Sequence, residues 1–123
     1  MRDPKLTVLL FNECINSRDL EGLVRLMTDD HALYLYGRRE TTDVKSSREA
    51  WRGFFAMYPD YMNHFVRIDS TGQSVAIVGH STCSNEPELR GPALWSAEVR
   101  GDLLAEWQVH HDTREQRALL KLL

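Results

Sequence analysis

The order of elements along the chain predicts an α+β fold, with helices laid across one face of a curved antiparallel sheet. Apolar residues recur at helical spacing through the first 27 residues and again from 46 to 58. From residue 61 onward, runs of strand-forming residues alternate with turns. A length of 123 residues is typical of one domain, so we expect a single domain over residues 1–123.

Two capped helices begin the chain. Asp3 is a capping acceptor, and the N–H that Pro4 lacks would have no partner at the first helical position. This helix is predicted to run to about Asn16, and Asp19 caps a second, shorter helix that reaches Met27. The residues expected to be buried in the first helix are Leu6, Leu10, Phe11, Cys14 and Ile15.

The remaining elements are mostly strands. A strand over residues 31–36 is followed by a third helix, which a capping box at residues 46–49 begins and Pro59 ends. Four further strands are predicted at 61–68, 75–82, 93–99 and 103–111. Thr113 and Gln116 form a candidate capping box for a short C-terminal helix.

Composition and charge narrow the class of protein. Apolar residues make up 42% and charged residues 27%, which is ordinary for a globular domain. A net charge of −3 without a basic stripe argues against nucleic-acid binding. No apolar run approaches the roughly 20 residues that span a bilayer. Because neither terminus carries a targeting signal, we expect a cytoplasmic protein.

The two cysteines are expected to be free thiols. Cys14 and Cys83 lie far apart and match no metal or redox spacing. Reduced thiols are usual in the cytoplasm. The sequence predicts no metal site and no organic cofactor.

The last hairpin determines which side chains face the interior. With a three-residue turn at 100–102, Trp95 and Trp107 share an apolar face that ends at His111. The full face is then Trp95, Ala97, Val99, Leu103, Ala105, Trp107, Val109 and His111. A two-residue turn shifts the register by one and places the opposite face beside Trp95. That opposite face contains Glu106, Gln108 and His110. We favour the first register because it separates apolar from polar residues.

His111 and Asp112 are the candidate catalytic residues. A histidine at the end of an apolar face can act as a general acid or base, since its ordinary pKa is near neutral. The two residues are neighbours on opposite strand faces, so Asp112 is not automatically the partner of His111. In the alternative interpretation, His111 packs at the edge of the core and Asp112 caps the terminal helix.

The other candidate residues are ligand contacts rather than catalysts. Trp95 and Trp107 would form the apolar wall of a pocket, and Tyr34 and Tyr36 share a strand face that offers hydroxyls or aromatic packing. Phe55 lies on the aromatic face of the third helix, which is core or a lid. The candidate ligand contacts are therefore Trp95, Trp107, Tyr34, Tyr36, Phe55 and His64. Three strand histidines without fixed spacing are poor support for zinc.

Three segments carry a resemblance to a known family. They are residues 16–30, residues 48–55, and residues 101–107 with the trailing Asp112. In this order they resemble the SnoaL-like branch of the nuclear transport factor 2-like superfamily. The resemblance implies a cone-shaped, curved sheet wrapped around N-terminal helices, an apolar pocket, and homodimerisation through the outer sheet face. It implies little about function, because members of one fold host many activities.

The catalytic residues of the superfamily's ketosteroid isomerase do not carry over. Counted from Asp19-Leu-Glu, its donor tyrosine falls at Phe11, and counted from Asp29-Asp30, its base falls at Leu35. Its protonated aspartate falls near Trp95, which is a looser match. That chemistry needs a base and two hydrogen-bond donors. The cyclases and an epoxide hydrolase of the superfamily rely on an acid near Trp107. The nearest candidates here are Glu106, Gln108 and Asp112.

The resulting expectation is a small-molecule-binding homodimer with an apolar pocket for an apolar or aromatic ligand. Acid–base chemistry of the cyclase, isomerase or hydratase kind by His111 and Asp112 would need no cofactor. The alternative is a non-catalytic binding or dimerisation module whose cone is filled by its own bulky side chains. Cavity volume discriminates the two, since ligand pockets measure roughly 300 Å³ or more.

Overall fold

The computed structural model describes residues 2–123, and four helices cover the predicted helical segments. They are α1 (Pro4–Ser17), α2 (Leu20–Arg25), α3 (Val44–Met57) and α4 (Arg114–Leu119). Asp3 caps α1 by accepting from the Lys5 N–H, and Asp19 caps α2 by accepting from the Gly22 N–H. At α3 the capping residue is Asp43, and Ser46 is its reciprocal partner, so the predicted box at residues 46–49 lies three residues too late.

Six strands form one curved, open sheet. They are β1 (Met27–Leu35), β2 (Arg38–Arg39), β3 (Met62–Thr71), β4 (Ser74–Thr82), β5 (Gly91–Arg100) and β6 (Leu103–His110). Their order in the sheet is β2-β1-β6-β5-β4-β3. The predicted α+β class with helices against a curved sheet is confirmed, except that the sheet is mixed because β1 runs parallel to β6. These two strands are not sequence neighbours, so no hairpin requires them to be antiparallel.

Two bulges decide which side chains face inward. In the β5–β6 hairpin the turn has two residues, since Arg100 pairs with Leu103. The register then shifts, leaving Ala105 as an extra residue, and Ala97 pairs with Trp107. The favoured apolar face around Trp95 and Trp107 is therefore correct although its turn length is wrong. Leu104 takes the inward place predicted for Leu103 and Ala105. A bulge restores the alternation that a two-residue turn would have inverted.

The second bulge lies in the β3–β4 hairpin. Phe65 pairs with Gly79 and Arg67 with Val78, so Val66 has no partner and is 73% exposed. Gly79 permits this close approach, because a Cβ atom there would lie 2.1 Å from the His64 carbonyl oxygen. Beyond the bulge, Asn63 stands opposite Ser81.

Phe11 lies at the centre of the core. It is fully buried. Its ring centroid lies 5.2 Å from that of Trp107 in β6, 6.2 Å from that of Trp51 in α3 and 5.9 Å from that of His31 in β1. Helix α1 buries Val8, Phe11 and Ile15 in one stripe against the sheet. Leu6 and Leu10, predicted to be buried, are 45% and 36% exposed because they lie beside that stripe.

The C-terminal segment covers part of the outer sheet face. Leu122 is buried against Ala76 of β4 and Leu94 of β5, and its carbonyl accepts a hydrogen bond from the Arg67 guanidinium at 2.8 Å. Leu119 and Leu123 are exposed. Within residues 2–123, no helix is long and apolar enough to cross a membrane.

His31 is a buried histidine in the wide irregularity between β1 and β6. Its Nδ1 lies 2.7 Å from the Leu104 carbonyl oxygen, so Nδ1 carries the proton of the neutral ring. The Nε2 atom is buried and has no hydrogen-bond partner in the described part of the chain. Burial lowers the pKa of His31, although its bond to Leu104 opposes the shift.

We expect Phe11→Ala to destabilise the fold by about 3–5 kcal/mol, because it removes a buried ring that joins four elements. Leu9→Ala, at a 41% exposed position of the same helix, is the control and should cost about 1 kcal/mol or less. Urea unfolding measures both. An equal decrease in the free energy of unfolding of the two variants would contradict the central role of Phe11.

The free energy of unfolding should fall as the pH is lowered from 7 to 5. Unfolded His31 binds a proton near its ordinary pKa of about 6.5, whereas the folded state, with its lowered pKa, does not. The stability is therefore complete above the unfolded pKa and decreases below it, by at most about 1.4 kcal/mol per pH unit. His31→Gln should show a shallower dependence in urea unfolding at pH 5, 6 and 7. If His31→Gln left the pH dependence of the free energy of unfolding unchanged, His31 would not be its source.

Candidate functional site

A cavity of about 470 Å³ lies between α3 and the inner face of the sheet. The small side chains of Ala50 and Ala93 leave room at its walls, and β1 contributes Leu33 and Leu35. Its aromatic lining consists of Tyr36, Trp51, Phe54, Tyr61, Trp95 and Trp107. This volume exceeds the roughly 300 Å³ chosen above to distinguish a ligand pocket from a filled core.

Five of the predicted site residues line this cavity. Trp95 and Trp107 form its apolar wall and are almost completely buried. Tyr36, His111 and Asp112 lie at its rim, where Tyr36 is 53% exposed. Tyr36 has a φ of 55°, so it has left the regular strand geometry.

Three predicted ligand contacts lie outside the cavity. Tyr34 alternates with Leu33 and Leu35 and therefore faces the outer side, where it lines a depression with Glu106. It does not share a face with Tyr36, because the left-handed residue breaks the alternation. Phe55 packs on Trp51, with the Arg18 guanidinium 5.7 Å from its ring centroid. The His64 ring stacks on His80 at 4.9 Å.

His111 and Asp112 each have a different partner. The His111 ring stacks on Tyr36 with centroids 4.0 Å apart and an angle of 12°. Both carboxylate oxygens of Asp112 accept from the Arg117 guanidinium, at 2.7 and 2.9 Å. These bonds lower the pKa of the Asp112 carboxyl, so it stays ionised. Thr113 rather than Asp112 caps α4, since its hydroxyl accepts from the Gln116 N–H at 3.1 Å.

A buried polar cluster in the cavity wall was not predicted. It consists of Tyr61, Asn63 and Ser81, all of which line the cavity and are at most 8% exposed. The Tyr61 and Ser81 hydroxyls lie 3.1 Å apart, and the Ser81 hydroxyl donates to Asn63 Oδ1 at 3.0 Å. The pairing of Asn63 with Ser81 depends on the Val66 bulge. A regular hairpin would have paired Asn63 with Thr82, so the sequence carried no local signal for this cluster.

The candidate acids near Trp107 are separated by the two faces of the sheet. Glu106 and Gln108 lie on the outer face, where the Gln108 amide donates to the Glu106 carboxylate at 3.0 Å. Of these three candidates, Asp112 alone lines the cavity. Within residues 2–123, no three His, Cys, Asp or Glu side chains are grouped so as to hold a metal ion.

Comparison with solved structures finds this architecture in other proteins. An uncharacterised cystatin-fold protein from Novosphingobium aromaticivorans has a TM-score of 0.79 at 18% identity, covering 89% of this chain and 98% of that one. Wild-type IdmH, a candidate polyketide cyclase from Streptomyces antibioticus, has a TM-score of 0.75 at 22% identity, covering 98% of this chain and 99% of that one. An NTF2-like protein of unknown function from Cytophaga hutchinsonii has a TM-score of 0.74 at 9% identity, covering 94% of this chain and 96% of that one. The chain has the nuclear transport factor 2-like fold.

The fold that the sequence resemblance implies is therefore confirmed. No protein-family model matches the sequence, and no curated protein sequence matches it. At the positions counted to the isomerase tyrosine and base, this chain has the buried ring of Phe11 and the cavity-lining Leu35. Neither side chain can donate or accept a proton.

Proposed function

We propose that the protein binds a fused-ring or aromatic small molecule in the cavity and acts on it by cofactor-free proton transfer. The observation that carries this proposal is the cavity of about 470 Å³ with its largely apolar and aromatic lining. That volume lies within the roughly 300–1,000 Å³ of small-molecule sites. The accessible aromatic rings of Tyr36 and Phe54 suit flat ligands because offset ring contacts add to the gain from apolar burial.

The comparison with IdmH supports the same ligand class. It is a candidate polyketide cyclase with this fold, although identity of 22% carries no residue roles. Cyclisation and isomerisation of ketones share a first step, the removal of a proton from the carbon next to the carbonyl. We therefore place the reaction in this class, with cyclase and isomerase chemistry as its two outcomes.

His111 is the proposed base. It lines the cavity at the exposed rim, where an imidazole can exchange protons with water. The imidazole takes the proton, the C–H electron pair moves to the carbonyl oxygen to give an enolate, and the imidazolium then returns a proton to carbon. Asp112 lines the same rim and is held ionised by its two bonds to the Arg117 guanidinium.

The homodimer and the cytoplasmic location predicted from the sequence also remain part of the proposal. The proposed dimer would use the outer sheet face beside the area that Leu122 covers. The exposed depression around Tyr34 and Glu106 is the part of that face left open.

We expect the wild-type protein to bind fluorene, a flat three-ring hydrocarbon, and Ala93→Phe to weaken that binding about tenfold or more by filling the cavity. Equilibrium dialysis gives both dissociation constants. Ala56→Phe, at an exposed position of α3, is the matched control and should leave binding unchanged. Equal affinity of wild type and Ala93→Phe would place the binding site elsewhere.

The wild type should also catalyse hydrogen–deuterium exchange next to the carbonyl of 2-tetralone, a two-ring ketone, as followed by NMR in D₂O. His111→Gln should lower the rate about 100-fold or more, because it removes the base. His80→Gln changes an exposed histidine on β4 and should have no effect. Full exchange activity in a His111→Gln/Asp112→Asn double variant would exclude both residues from catalysis.

A further inference from the structure

The polar cluster of Tyr61, Asn63 and Ser81 is firmly held in place. The Asn63 backbone is bonded on both sides by the Asn16 amide: its N–H donates to Asn16 Oδ1 and its carbonyl accepts from Asn16 Nδ2, each at 2.9 Å. The Asn63 side chain is then oriented by the Ser81 hydroxyl at 3.0 Å. A side chain held in this way meets a ligand with little further loss of entropy.

The hydrogen bonds in the cluster have one direction. Ser81 has a single hydroxyl proton, which it donates to Asn63 Oδ1, so it must accept from the Tyr61 hydroxyl 3.1 Å away. Burial raises the pKa of Tyr61, although its bond to Ser81 opposes the shift, so the phenol remains a donor at neutral pH. The chain of donors runs from Tyr61 through Ser81 to the oxygen of the Asn63 amide.

The Asn63 amide nitrogen is left as a free donor. Its oxygen is engaged by Ser81, and its nitrogen has no hydrogen-bond partner among residues 2–123. The side chain is 3% exposed and lines the cavity, so its accessible part faces the cavity. The indole N–H groups of Trp51 and Trp95 also lack acceptors within the described residues, but both nitrogen atoms are fully buried, whereas the Asn63 nitrogen is not. An amide donor at a buried position requires an acceptor.

We propose that the Asn63 amide is a recognition site for a ketone or quinone carbonyl oxygen of the ligand, positioned by Ser81 and Tyr61. The proposal rests on the proposed function above and names its substrate class: a flat ring system that carries a carbonyl group. An N–H donor selects an acceptor, and the cluster contains no charged side chain that would favour a carboxylate. Ser81 and Tyr61 act as positioning residues, since Ser81 bonds Asn63 directly and Tyr61 bonds Ser81.

The test compares 9-fluorenone with fluorene, which have the same three-ring skeleton with and without a ketone. Equilibrium dialysis against the wild-type protein should show 9-fluorenone binding about tenfold more tightly, which is the factor for one ordinary hydrogen bond. Asn63→Leu, of similar size, should reduce this ratio to about one while leaving fluorene affinity unchanged. Ser81→Ala should reduce the ratio in the same direction by releasing the amide.

A second measurement needs no variant, in case Asn63→Leu does not fold. The infrared carbonyl stretch of 9-fluorenone bound to the wild type should move to lower wavenumber than in hexane, as expected for a carbonyl that accepts a hydrogen bond. In Ser81→Ala the band should move back toward its hexane position. A bound ketone whose band matches that in hexane would overturn the proposal.

The outcomes separate this inference from the proposed function. Equal binding of fluorene and 9-fluorenone by the wild type supports the ligand cavity but overturns the Asn63 site. Selective binding that persists in Asn63→Leu overturns the site as well, because another donor must then supply the selectivity. Failure of both probes to bind overturns the ligand cavity and the Asn63 site together.

Discussion

The packing of Phe11 is the constraint on which the rest of the structure depends. One fully buried ring contacts Trp107 of the sheet, Trp51 of α3 and His31 of β1. It therefore holds α1 against three elements that are distant in sequence. Helices laid across a sheet need such a shared apolar centre, since neither layer can bury its own face alone. The cavity lies beside this centre, between α3 and the strand ends.

This packing also determines what chemistry the cavity can offer. A ring at position 11 makes the centre of the cone apolar, and Leu35 continues that surface. The buried polar groups of its wall are those of Asn63, Ser81 and Tyr61. The other polar lining residues are more exposed, and they are Glu40, Glu88, Arg90, His110, His111 and Asp112.

The sheet bulges decide which side chains reach either place. Each bulge inserts one residue, and one residue reverses the inward and outward assignment of everything beyond it. Asn63 faces the cavity because Val66 has no partner in β4, and Trp107 keeps its inward place because Ala105 is extra in β6. Gly79 makes the first bulge possible by leaving room for the His64 carbonyl.

The sequence by itself determined the local features. The caps at Asp3 and Asp19, the helical periods and the alternation around Trp95 and Trp107 follow from neighbouring residues, so they could be predicted. Predictions that required a register were less successful: Tyr34 proved to face outward, and the cluster around Asn63 was missed. Only the tertiary structure decided the parallel pairing of β1 with β6, the bulges and the composition of the cavity wall. Those features depend on contacts between distant segments, and a pattern of period two cannot show where an extra residue reverses it.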